Sequence, residues 1–302
     1  MGMAARITAT TMIDVLVLGG IFREILDGDT TPKLRYGGSG LTASVAAARL
    51  GAQVALASYL GVEDEVAVRG ELSTAGVQDD LIIVNPGASG TFLFPSHQDN
   101  DRPWPMYKPA DSVPTERPSP IPASKIILVF GIPDYDPIAA GWLSSCDAGT
   151  TLMWDRQGWL SRARDTSGVL SLSPERKIYI AAEGEAVDDA NLDQGEDVFA
   201  VQPPDGFSIS VIKRGKEGVA IFERSVSGVR SSVIPAFVVD TSLTIGSGDV
   251  FAGAFAAGLA VNKLPVDASK WGCAAAAIAL EEGNNLLGDS AWEKVTEMTK
   301  SA

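Results

Sequence analysis

The residues best suited to chemistry lie in the segment Val238–Ala260, VVDTSLTIGSGDVFAGAFAAGLA. An extended run ends near Asp240, and a glycine-rich turn, Gly246-Ser247-Gly248, leads straight into an alanine-rich helix. The first N–H groups of a helix have no partner within it, and the helix dipole points the same way, so such a turn gathers anions. Glycine lets a phosphate approach the backbone closely. Asp249 follows in the first helical turn. An isolated aspartate at such a place is commonly only a helix cap. Beside an anion-collecting turn it also suits a general base. It would take a proton from a hydroxyl while the amides of Gly246, Ser247 and Gly248 hold the charge of a phosphoryl group in transit.

The elements that must position these residues follow an alternating pattern. Ile13–Leu18 (IDVLVL) reads as a buried strand that ends in the Gly19-Gly20 turn. Gly37–Gly40 opens an alanine-rich helix closed by Gly51, a strand follows at Gln53–Ser58, and a second helix covers Val66–Ala75. Further strands are expected at Lys125–Phe130, Thr151–Trp154, Lys177–Ala181, Phe207–Lys213, Gly218–Phe222 and Val233–Val239, with helices over Gly248–Leu259 and Lys270–Glu282. Strand and helix in alternation imply a mainly parallel sheet covered on both faces, a three-layer α/β/α domain. The short runs Leu81–Val84 and Gly90–Phe94, with the stretch near Tyr36, read instead as a small antiparallel flap. One domain over 1–302 is expected, with a β lid from segments near 21–37 and 81–108. The proline-rich stretch Pro103–Pro122 is a solvated linker or part of that lid.

These motifs together resemble the ribokinase-like carbohydrate kinases, the PfkB family. Gly246–Asp249 followed by VFAGAF is similar to that family's C-terminal signature, and Gly37–Glu65 (GGSGLTASVAAARLGAQVALASYLGVEDE) to its N-terminal Gly-Gly signature. TLMWDRQ at 151–157 resembles the family's strand ending in Asp, and VIKRGKEGVAIF at 211–222 its nucleotide-side hairpin. The resemblance implies Asp249 as catalytic base and Gly246, Ser247 and Gly248 as the anion hole. It implies Gly37 and Gly38 at the sugar-side turn, and Lys213, Gly215 and Gly218 at the nucleotide. Glu185, in AEGEA, matches a glutamate that helps hold Mg2+ through water. Several positions depart from the pattern. The N-terminal aspartate that grips two sugar hydroxyls is Glu24 here, the helix asparagine is Thr42, and the asparagine preceding the metal glutamate is Ala182. Extra residues separate Asp240-Thr241 from Gly246, so that either the loop bulges there or Thr244 takes the place of the motif threonine and Leu243 that of its aspartate; this is the neighbourhood where the family often holds a monovalent cation. Arg102, just beyond the hairpin turn, is a solvated lid charge or a residue that reaches the substrate.

What the resemblance implies is ATP- and Mg2+-dependent phosphorylation of a hydroxyl on a sugar or sugar-like molecule. A nucleoside kinase of the same fold, using Phe92 and Tyr107 near a base, is one alternative. A member that binds ligand without catalysis is another, favoured by the changed polar contacts. Pairing of two copies through the lid is a further implication. Composition bounds the rest. Lys plus Arg number 24 against 38 Asp plus Glu, a net charge of -14, which disfavours nucleic acid and anionic membrane as partners. No apolar run is long enough for a membrane helix, and no secretory leader is read, so a cytoplasmic enzyme is expected. The two cysteines, Cys146 and Cys273, read as reduced thiols, the single histidine, His97, as a surface residue, and Trp154 and Trp159 as core. No G-x-x-x-x-G-K-[ST] loop is present.

Overall fold

In a computed structural model, residues 12–26, 33–94, 106–112, 121–130, 147–157, 174–189, 204–241 and 244–300 are described. Nine strands form the main sheet: β1 (Ile13–Leu18), β4 (Val54–Gly61), β5 (Gln78–Asn85), β8 (Ser124–Phe130), β9 (Thr151–Asp155), β10 (Arg176–Ala182), β11 (Ile209–Lys213), β12 (Val219–Ser225) and β13 (Gly228–Ile234). Their order is β13-β12-β11-β10-β9-β8-β1-β4-β5. All neighbours pair in parallel except β11–β12 and β12–β13. Side chains alternate between faces along a strand, so in β1 Val15 and Val17 enter one core and Leu16 and Leu18 the other. Both faces are dry, which is why IDVLVL is unbroken by polar residues after Asp14. Each such side chain contributes roughly 1.5–3 kcal/mol on burial.

Helices α1 (Ser39–Arg49), α4 (Ser247–Ala260) and α5 (Pro265–Glu282) supply one core, α2 (Glu65–Ala75) and α6 (Ala291–Lys300) pack at its margin, and α3 (Glu183–Asp189) meets the opposite core through Ala186. The small residues of α1 and α4 let the two helices touch: a Cβ added at Gly253 would collide with the carbonyl of Ala43. On the second face Trp154 stacks on Phe207 at 6.1 Å and meets Tyr179 edge-on at 5.9 Å, a core position. The thiol of Cys273 is pushed up to about 12 by burial and stays protonated. Cys146, His97 and Trp159 lie outside the described residues.

A second sheet has the order β3-β2-β6-β7, from β2 (Phe22–Leu26), β3 (Lys33–Gly37), β6 (Thr91–Phe94) and β7 (Met106–Lys108). Three expectations are corrected here. Leu81–Val84 belongs not to this sheet but to β5, the edge of the main sheet, because Ile82 packs into one core and Leu81 and Ile83 against the other. The small sheet is mixed rather than antiparallel, since β2 and β6 run parallel. The last strand also ends earlier than expected, at Ile234, because Pro235 has no N–H to continue the ladder. Asp64, fully buried before α2, ties the two sheets together. It accepts bonds from Arg23 Nε at 2.7 Å, Tyr36 Oη at 3.2 Å and the Ser89 N–H at 2.8 Å. Burial alone would raise its carboxyl, but the Ser89 and Arg23 donors more than offset that and hold it below the usual carboxylate range.

Candidate active site

Two cavities adjoin at the C-terminal edge of the parallel strands, the place where open α/β sheets bind ligands. The larger, about 730 Å³, runs between the β11–β12 hairpin and helices α4 and α5. Its wall is mostly apolar, with Val219, Phe237, Val239, Ala276 and Leu280. The smaller, about 260 Å³, lies between the small sheet and the mouth of α4. Lys213, Thr244 and Gly248 line both.

Local sequence accounts for the mouth of α4. Gly246 adopts φ +80, a conformation that disfavours side chains, and a Cβ there would lie 2.8 Å from the Asn285 Cβ. This turn directs Gly248 to the junction of the cavities, where its Cα faces the Lys213 ammonium: an added Cβ would sit 3.4 Å from Nζ. The Ser247 N–H bends back to the Thr244 carbonyl at 3.3 Å, and the Asp249 N–H to Gly246 at 3.1 Å. The N–H groups of Gly246 and Gly248 have no protein acceptor among the described residues. Two of the three expected anion-hole amides are thus free, and the third makes a long bond.

Asp249 lines the smaller cavity. Its Oδ1 accepts a 2.6 Å bond from Gln157 Nε2, and among the described residues Oδ2 accepts none. Burial, with Asp155 nearby, pushes the carboxyl up to about 7, although Lys213 and Gln157 pull the other way. Asp155, at the end of β9, is fully buried and pairs with Lys213 Nζ at 2.7 Å. Burial raises the Asp155 carboxyl and Lys213 draws it back. Its second oxygen, Oδ1, is buried without a hydrogen-bond partner among the described residues. Glu185 lines the same cavity, oriented by the Ala182 N–H, which donates to its Oε2 at 2.7 Å. Among the described residues no three acids or histidines form a protein-only metal cage. Magnesium is commonly held by one or two carboxylates together with phosphate oxygens. The unpartnered Asp155 oxygen and Glu185 fit that requirement.

Of the expected site residues, Glu24, Gly38, Glu185, Lys213, Gly246, Gly248 and Asp249 meet around the smaller cavity, while Lys213, Gly215, Gly218, Ser247 and Gly248 line the larger. Lys213 is therefore not only on the nucleotide side: it bridges the two. Gly37 and Thr42 line neither. A Cβ at Gly37 would run into the Glu24 carboxylate, so that glycine makes room for a protein side chain. Thr42 is wholly buried, its Oγ1 accepting from Asn285 Nδ2 at 3.4 Å. Arg102 lies outside the described residues. Three participants had not been singled out from sequence: Gln157, Asp155 as an ion-pair partner, and Asn285. The first two sit at the C-terminal end of a parallel strand, a position that could have marked them. Asn285, beyond α5, carried no signal. Gln157 is one of two described non-glycine residues at positive φ, +46, a strained backbone of the kind that gathers at functional sites.

The architecture is that of the ribokinase-like fold, with an acid and free amides at a junction between two cavities. Residues 10–288 match the pfkB family of carbohydrate kinases, and the chain belongs to that family. Solved structures agree in fold. The ribokinase of Cryptococcus neoformans var. grubii serotype A in complex with ADP aligns with TM-score 0.70 at 22% identity, over 96% of this chain and 100% of that one. Aminoimidazole riboside kinase from Salmonella enterica, complexed with aminoimidazole riboside and an ATP analog, gives 0.73 at 16% identity, over 95% and 99%. Adenosine kinase from Sinorhizobium meliloti gives 0.73 at 17%, over 96% and 99%. No curated protein matches the sequence. Among the described residues no helix is long and apolar enough to cross a membrane.

Proposed function

We infer that this chain transfers the γ-phosphoryl group of ATP to a hydroxyl of a sugar or sugar-like small molecule. The observation that carries the reading is the Asp249 carboxyl, with one oxygen uncommitted, beside the free Gly248 amide where the two cavities meet. The larger cavity suits a nucleotide: its wall offers apolar side chains to a planar base and, at Lys213, Gly215 and Gly248, polar groups where phosphates would lie. Structural neighbours in complex with ADP or an ATP analog support the same donor, and a reaction that draws on ATP suits the cytoplasm. Bound Mg2+ would screen the phosphate charge, with Asp155 and Glu185 as its protein-side carboxylates.

The residues then divide the work. The acceptor hydroxyl donates its hydrogen bond to Asp249 Oδ2 while Gln157 steadies Oδ1. As the hydroxyl oxygen bonds to the γ-phosphorus, its proton passes to Asp249, and the bond between that phosphorus and the bridging oxygen breaks, leaving with ADP. A carboxyl lifted to about 7 is well matched to accept a proton near neutral pH. The Gly246 and Gly248 amides and the Lys213 ammonium stabilise the negative charge spread over the phosphoryl oxygens. The small sheet covers the acceptor and keeps water from competing for the phosphoryl group. The test is ADP release over a panel of sugars and nucleosides. Asp249→Asn is expected to lower turnover by ~10²–10⁴ with ATP binding retained. Unchanged turnover in that variant removes Asp249 as the base.

A further inference from the structure

We propose that the guanidinium of Arg35 acts as a tethered cation beside the mouth of α4, so that the enzyme works without a free monovalent cation. The proposal rests on the kinase reading above and concerns how the anion-collecting turn of that site is held.

The family resemblance implies a monovalent cation near the stretch that precedes Gly246. A small cavity of about 10 Å³ lies beside that turn. Its wall draws on three parts of the fold: Ile245 and Ser247 on either side of Gly246, Asn284 and Asn285 in the loop after α5, and Arg35 from β3 of the small sheet. A potassium ion needs oxygen ligands to replace its hydration shell. The residues around this cavity do not fit that need. Among the described residues no carboxylate lines it, and its one charged group is Arg35. A guanidinium offers only donors and keeps its charge at any working pH. A cation placed there would meet a like charge, in a space with room for about one water molecule.

Arg35 is instead already fixed as the cation of this place. Its Nε donates to Glu24 Oε2 at 2.7 Å, and its Nη2 is buried with no acceptor among the described residues. Glu24 also accepts from Asn285 Nδ2 at 3.4 Å, and the Asn285 Cβ stands 2.8 Å from where a Cβ on Gly246 would lie. The guanidinium is thus linked, through an acid and an amide, to the turn whose Gly246 and Gly248 N–H groups have no protein acceptor among the described residues. It balances Glu24 there. Without it, an unpaired negative charge would stand near a turn that must take a phosphate. Asn285 Oδ1 is likewise buried without a donor among the described residues, the kind of oxygen a free ion would recruit if the guanidinium were gone. A charge carried on a side chain needs no capture from solution, so the turn is held whatever salt surrounds the protein. Arg35 is therefore a positioning residue, acting on the phosphoryl group through the turn and not by contact.

The experiment uses the full chain in potassium, sodium and choline chloride at equal ionic strength, choline being too large for the cavity. Melting temperature is measured, and ATP affinity with Mg2+ by calorimetry. The parent is expected to give the same values in all three salts. Arg35→Ala leaves Glu24 without its counter-ion and enlarges the space. In choline chloride it should bind ATP about tenfold more weakly, the scale of one uncompensated charge near a phosphate site. Potassium or sodium should restore most of that affinity and raise the melting temperature of the variant, because the ion now binds the folded state. Arg35→Gln, which keeps a donor for Glu24 but no charge, carries the same test should the alanine variant fail to fold. Arg35→Lys, which keeps the charge, should stay indifferent to the salt. A parent whose melting temperature or ATP affinity rises in potassium or sodium over choline overturns the proposal. So does Arg35→Gln with the parent's ATP affinity in choline chloride, or Arg35→Lys as salt-dependent as Arg35→Gln. Failure of the kinase reading is seen separately, as absent ATP binding; the melting temperatures in the three salts then still decide between a tethered and a free cation.

Discussion

Asp249 and Glu24 line the same cavity, yet the protein treats the two carboxylates in opposite ways. Glu24 comes from the small sheet and is consumed by internal donors: an arginine, a backbone N–H and an asparagine. Asp249 comes from a helix mouth, receives one donor, and keeps an oxygen open to the cavity. The difference teaches how to separate structural acids from chemical ones. An acid matched by donors and a counter-ion has spent its charge on holding the fold. An acid left short of donors, in a dry place beside other acids, holds its proton more tightly and becomes able to exchange it near neutral pH.

The contrast can be broken most forcefully through Lys213, the cation on the Asp249 side. Lys213→Met leaves the Asp155 carboxylate buried without its counter-ion, at a cost of ~3–5 kcal/mol in stability, to be read by urea unfolding. The double variant Asp155→Leu/Lys213→Met should recover most of that loss, while turnover stays low in both. If the single variant is as stable as the parent, the buried pair is not what holds the site.

Next in size is the pH dependence. A carboxyl whose affinity for protons is raised is ionised, and able to act as base, only above its own pKa. kcat/KM should therefore be full above pH 7 and fall about tenfold per unit below about 7. Asp249→Asn should flatten that limb in whatever activity remains. A limb centred near 4 would put Asp249 on the same footing as an ordinary surface acid.

The smallest effect sharpens the other side of the comparison. Arg35→Met removes the main partner of Glu24 but leaves the Gly38 N–H and Asn285, so a loss of ~1–3 kcal/mol is expected. With that carboxylate released, D-ribose should gain in kcat/KM relative to the nucleosides. A variant with unchanged stability and unchanged acceptor preference would show that Glu24 is no more committed to the fold than Asp249.

Much of the site was legible because it is local. Gly246–Asp249 needs only the unpaired amides of a helix start and an acid one residue on, and both are written in consecutive residues. The hairpin from Lys213 to Gly218 is equally local. Leu81–Val84 was misplaced because an apolar run of four does not say which sheet it joins; packing of its two faces against the two cores decides that. Thr42 and Gly37 were expected to meet substrate, but their neighbours across the fold, Asn285 and Glu24, occupy the space.

By itself the sequence determined the alternation of elements, the parallel core strands, the anion-collecting turn and the acid beside it, because each depends on propensities and hydrogen-bond needs of residues close along the chain. Only the tertiary structure decided which carboxylates are spent and which are open. Gln157 reaches Asp249 across 92 positions, Lys213 reaches Asp155 across 58, and Asn285 reaches Glu24 across 261. Protonation and hydrogen-bond saturation are set by neighbours in space, and for these groups the neighbours are brought by the folding of the sheet rather than by the order of the residues.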